Sequence, residues 1–139
     1  MSTVRQISIS IKRGTGQISE ATDILGEAGV NIRGFSVCDS KETCLLHLIV
    51  DSPDIARQVL TNNGIVFSEK DVICLRLDDR PGSLASALTT VTNAGVRFDC
   101  VYSLILPYAV LDVEDSIIAL SLLKNQPVHI VTQPEIASI

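Results

Sequence analysis

Residues 16–30 read GQISEATDILGEAGV and residues 82–96 read GSLASALTTVTNAGV. Gly16, Ile18, Ala21, Leu25, Ala28, Gly29 and Val30 fall on Gly82, Leu84, Ala87, Val91, Ala94, Gly95 and Val96, each pair 66 positions apart. Within each stretch the apolar residues recur at three and four, the period of one helix face, and a glycine stands where a left-handed C-terminal cap belongs.

The correspondence continues on either side of these helices. Ile7, Ile9 and Ile11 alternate with Gln6, Ser8 and Ser10 as in a half-buried strand, and Ile73, Leu75 and Leu77 repeat the pattern. Farther on, Val50, Ile55, Ala56, Val59, Leu60 and Ile65 fall on Val113, Ile118, Ala119, Leu122, Leu123 and Val128, now 63 positions apart. The second copy is therefore three residues shorter between its middle strands. Shared spacing over most of both halves implies one supersecondary unit used twice, residues 1–70 and 71–139.

Within the first copy a strand over residues 31–38 and another over 43–50 flank the turn-forming Asp39, Ser40 and Lys41, which predicts a hairpin. Asp51 or Ser52 then caps a helix with Pro53 in its first turn and Asn63 and Gly64 at its end. A fourth strand follows over 65–69. The order βαββαβ predicts an α+β fold: two ferredoxin-like units in tandem, each an antiparallel sheet with both helices on one face. The opposite face would carry Leu45, His47 and Ile49. That is too apolar for water and predicts a homodimer through this exposed sheet face. Residues after Thr132 read as a tail.

Composition narrows the functions. The chain has 139 residues, 46% of them hydrophobic, enough for a sizeable core. A net charge of −5, aromatics at 4% and no Trp argue against nucleic acid as a partner, which needs clustered cations and stacking rings. No apolar run reaches bilayer length and the start lacks a signal-like core, so neither a membrane span nor a secretory leader is expected. Cys38, Cys44, Cys74 and Cys100 show no CxxC spacing and read as reduced thiols of a cytoplasmic protein, although Cys38 and Cys44 might also face each other across the hairpin.

Chemistry concentrates in the turns before the first helix of each copy, Lys12-Arg13-Gly14-Thr15-Gly16-Gln17 and Asp78-Asp79-Arg80-Pro81-Gly82-Ser83. A glycine there admits close approach of a ligand, and the free N–H groups of a new helix suit a carboxylate. The same glycine also serves a tight turn with no ligand at all. His47 and His129 have no evident nucleophile or orienting partner in sequence, so neither reads as a catalytic base. Asp112, Glu114 and Asp115 precede a helix and read as dipole partners, not as metal ligands. No metal, cofactor or catalytic residue is assigned.

The run D-R-P-G-S-L-A at Asp79–Ala85, with N-A-G-V at Asn93–Val96, resembles the ACT domain of amino-acid-responsive regulatory proteins. The first copy resembles it through Thr15, Gly16, Gln17 and Ile18 and through E-A-G-V-N-I at Glu27–Ile32, but lacks the Pro before its Gly. Nearly the whole chain is thus similar to stand-alone tandem ACT proteins, and more distantly to the regulatory subunit of acetolactate synthase. The resemblance implies an amino acid bound by Asn31, Ile32, Asp79, Arg80, Gly82, Ser83 and Leu84, with Asp79 on its ammonium and the Ser83 and Leu84 N–H groups on its carboxylate. A second, weaker site would use Arg13, Gly16, Gln17, Ile18, Arg97 and Phe98. Three functions stay open: an amino-acid sensor that modulates a metabolic enzyme, a ligand-free interaction module, and a small enzyme with an unrecognised site. The first is preferred.

Overall fold

A computed structural model describes residues 2–12, 16–39, 43–105 and 107–139, with backbone alone at 38, 39 and 43. Arg13, Gly14 and Thr15 of the first turn, and Ser40 and Lys41 of the predicted hairpin turn, lie outside the described residues. The elements run β1 Val4–Lys12, α1 Gln17–Glu27, β2 Ile32–Asp39, β3 Thr43–Val50, α2 Pro53–Asn62 and β4 Phe67–Arg76. They continue with α3 Ser83–Asn93, β5 Phe98–Ser103, β6 Tyr108–Val113, α4 Ser116–Leu123, β7 His129–Val131 and α5 Gln133–Ile136. The chain divides into two compact units, a first made of Arg5–Lys70 with Ile136–Ile139, and a second made of Asp71–Glu135 with Met1–Val4.

In the first unit β3 lies between β1 and β2, antiparallel to both, so that Leu46 stands opposite Ile9 on one side and Val37 on the other. The alternation puts Ile7, Ile9, Ile11, Leu46, Leu48 and Val50 on one face, where they pack on Ala21 and Leu25 of α1 and Ala56 and Leu60 of α2. Both helices end in a left-handed glycine, Gly29 at φ 79° and Gly64 at φ 69°. The second unit repeats this plan with β6 between β4 and β5, and β7 on the other side of β4. Its core sets Ile73, Leu75, Leu111 and Val113 against Ala87, Val91, Ala119 and Leu123. The order β5-β6-β4-β7, with both helices on one face, is the ferredoxin-like arrangement expected from the repeat.

Three expectations need correction. The strands read at 65–69 and from Ile73 are one strand, β4, because nothing between them breaks an extended chain: the polar run Ser68–Asp71 contains neither Gly nor Pro. The tail is not a tail. Thr132 and Glu135 form a capping box in which the Thr132 N–H and hydroxyl donate to Glu135 Oε1 at 3.1 and 3.0 Å, starting α5 and ending with Ile136 fully buried.

The third correction concerns helix faces, since Ile18 and Ile55, read as core, are largely exposed on the first turns of α1 and α2. On the sheet face turned from the helices Leu45 is exposed, whereas His47 is only 7% exposed and Ile49 fully buried, as is Gln6; the second unit buries Val72, Cys74, Val110 and Asp112 in the same way. His47 sits with Nδ1 2.7 Å from the Ser8 hydroxyl.

Cys44 and Cys74 are buried free thiols, and burial pushes the Cys74 thiol up to about 12. The register sets Cys38 opposite Leu45 and not opposite Cys44. Among the described residues no helix is long and apolar enough to cross a membrane.

Candidate functional site

The turn ahead of α3 is built by its own main chain. The Arg80 N–H donates to the Asp78 carbonyl at 2.9 Å, the Ser83 N–H to the Arg80 carbonyl at 3.3 Å, and the first helical bond runs from the Ser86 N–H to the Gly82 carbonyl at 2.9 Å. Gly82 holds the N-cap position at φ 84°, a left-handed conformation that favours glycine, and contributes no capping side chain. The N–H groups of Leu84 and Ala85 therefore open the helix without an acceptor among the described residues, and the partial positive charge of the helix start adds to theirs. Of the expected pair of donors, Leu84 is available, whereas Ser83 is buried with its N–H already used.

Asp79 stands exposed at the head of this turn and lines a groove of about 300 Å³ with Arg76, Asp78, Pro107, Pro127 and His129. The groove thus presents two carboxylates together with the Arg76 guanidinium. Arg80 leans back on Asp78, its Nε 3.5 Å from Oδ2, with both side chains mostly in solvent. Arg76 and His129 were not foreseen as neighbours of Asp79. They arrive together because β7 pairs with β4 at Arg76 and His129. The neighbourhood has a counterpart in the first unit: Pro127 and His129 occupy the places of Gly64 and Val66, which line a similar groove of about 320 Å³ there with Ser10, Gln17 and Glu20.

His129 is also held from its far side, with Nε2 2.7 Å from Glu135 Oε2. That contact, with the two bonds from Thr132, keeps the Glu135 carboxyl below the usual carboxylate range.

At the start of β2, Asn31 is exposed and its main chain is bound on both sides by Asp51. Ile32 next to it packs against the first core and is only partly accessible. Of the second, weaker set, Gly16 caps α1 at φ −78°, an ordinary conformation, and the Gln17 side chain turns back so that its Oε1 accepts the Lys12 N–H at 2.8 Å. Ile18 is exposed, Phe98 packs on the second core, and Arg97 is neutralised by its neighbours, with Nε 3.2 Å from Asp99 Oδ1 and Nη2 4.0 Å from Glu114 Oε2. Arg13 lies outside the described residues. The turn ahead of α3 is thus open and acidic, whereas in the first unit the Gln17 side chain is already engaged with Lys12.

Comparison with known proteins agrees with the fold. The chain superposes on a protein of Bacteroides thetaiotaomicron with a TM-score of 0.90 at 22% identity, covering 99% of this chain and 98% of that one. The ligand-free regulatory subunit of aspartate kinase from Thermus thermophilus gives a TM-score of 0.62 at 15% identity over 86% and 87% of the two chains. The corresponding subunit from Thermus flavus gives 0.59 at 15% identity over 86% and 88%. No curated protein sequence matches the chain. A family model described as an ACT domain pair matches residues 2–114, spanning both copies of the repeat, and this chain belongs to that family.

Proposed function

We propose that the chain is a regulatory protein that binds an amino acid at the turn ahead of α3 and thereby modulates an enzyme of amino-acid metabolism. The observation that carries this reading is the pairing of the uncapped Leu84 and Ala85 N–H groups, behind left-handed Gly82, with the exposed carboxylate of Asp79. One end of the turn suits a carboxylate and the other an ammonium, the two charges every free amino acid carries. In this reading Asp79, Arg80, Gly82, Ser83 and Leu84 hold the ligand together with Asn31 and Ile32, Ser83 shaping the turn from inside. The regulatory subunits of aspartate kinase named above support a regulatory role by analogy of fold. The free thiols suit the cytoplasm.

A thermal-shift screen against the common amino acids tests this, since a ligand at about a hundred times its Kd adds about 2.7 kcal/mol of stability. Asn31→Ala and Asp79→Ala should each remove the shift while leaving the unliganded melting temperature nearly unchanged. A full shift in both variants rejects the site. A second reading, docking without a ligand, is favoured by the first unit, where Gln17 is already engaged with Lys12. Capture of an enzyme with no effect of any amino acid would select it.

A further inference from the structure

Strand register decides what stands beside Asp79. Arg76 is the Cα partner of Tyr108 on one side and of His129 on the other, so its stem rises between two large side chains at the end of β4, and Arg76 lines the groove of about 300 Å³ together with Asp79. Other charges at this groove are already engaged, Asp78 with Arg80 at 3.5 Å and His129 with Glu135 at 2.7 Å. The side chains of Asp79 and Arg76 have no hydrogen-bond or ion-pair partner among the described residues. The remaining walls are Leu77, Pro107 and Pro127; the Leu77 N–H is spent on the Pro107 carbonyl at 2.9 Å, and neither proline has an N–H. Donation into the groove thus falls chiefly to the guanidinium. The first unit does not repeat this arrangement: Ser10 stands at the place of Arg76, and among the described residues Glu20 alone carries charge in that groove.

We propose that the amino acid taken at the α3 turn is a dicarboxylic one and that Arg76 selects it; this rests on amino-acid binding at that turn and adds the class of side chain. With the α-carboxylate on the Leu84 and Ala85 N–H groups and the ammonium on Asp79, the ligand's side chain is left to the groove that Asp79 lines, where Arg76 stands. A guanidinium carries a permanent charge, donors and no acceptor, and its planar fork meets a carboxylate in two parallel hydrogen bonds. A side-chain amide offers it one oxygen and no charge, an ammonium is repelled, and an aliphatic side chain would cover its donors without satisfying them. The charges also match one for one: two carboxylates and one ammonium on the ligand, against Arg76, the helix start and Asp79 on the chain.

Titration calorimetry of the full chain with glutamate, glutamine, aspartate, asparagine, leucine and lysine tests it, because each acid and its amide share a shape and differ in charge. The wild type should bind one of the two acids at least about tenfold more tightly than its amide, the scale of a charge-assisted pair. Arg76→Gln should erase that preference and leave weak binding of both, since Asp79 and the α3 turn are untouched, while Arg76→Lys should keep part of it. Arg76 is exposed, so both variants should retain the wild-type melt. Equal affinity for acid and amide, tighter binding of leucine or lysine than of either acid, or a preference that survives Arg76→Gln overturns the role of Arg76 and leaves the turn an amino-acid site. No response to any common amino acid overturns both.

Discussion

Asn31 and Asp51 grip each other from both sides: the Asn31 N–H donates to Asp51 Oδ1 at 2.9 Å, and the Asp51 N–H donates to the Asn31 carbonyl at 3.0 Å. The second unit repeats the bracket with Arg97 and Glu114, at 3.2 and 3.0 Å. The start of the second strand of each unit is thus pinned to the end of the third. Only the main chain of residue 31 takes part, so its side chain varies without loosening the strand.

Asp51→Ala should lower stability by about 0.5–1.5 kcal/mol, the worth of an ordinary hydrogen bond. Asn31→Ala should change it by less than about 0.5 kcal/mol. Urea unfolding of the two variants separates them; an equal loss in both would mean that the Asn31 amide is itself structural.

Gly82 and Gly16 should respond oppositely to alanine. At φ 84° an alanine at 82 is strained and should cost about 1–2 kcal/mol. At φ −78°, with no atom within 4 Å of an added Cβ, alanine at 16 should be neutral or stabilising by up to about 1 kcal/mol. Differential scanning calorimetry of both proteins decides the matter.

Glu135 makes stability depend on pH in one direction. Its folded value is depressed, first by His129 and then by Thr132, so its contribution is present above the ordinary carboxylate value of about 4.3 and lost as pH falls through the folded value. The difference in melting temperature between wild type and Glu135→Gln should therefore shrink below that value. A difference that stays constant down to strongly acidic pH would show that the carboxylate charge is not what matters.

Ile136→Ala should destabilise the first unit by about 2–5 kcal/mol, because the side chain is fully buried in a unit otherwise formed by the other end of the chain. Guanidinium unfolding measures it, and a loss under about 1 kcal/mol would make this residue peripheral.

The helix faces were legible wherever the period of 3.6 ran through the middle of an element, as at Ala21, Leu25, Ala87 and Val91. The period misled at first turns, where Ile18 and Ile55 continue the apolar stripe yet are 36% and 48% exposed. The glycine of the α3 turn was legible, but not that Ser83 turns inward, nor that Arg76 and His129 stand beside Asp79. That neighbourhood comes from pairing between β4 and β7, which no local pattern encodes. The capping box at Thr132–Glu135 was present in the letters T-Q-P-E and was hidden only by its position near the end.

The chain divides at residue 70, where the duplication does, but its two ends change sides. Residues 67–70 of β4 go with one unit and 71–76 with the other, and each unit is completed by a few residues from the distant terminus. A gene encoding either half would therefore yield a protein missing part of a strand or a buried anchor such as Ile136. Neither half is thus a self-sufficient module, since each is completed by residues encoded at the far end of the other.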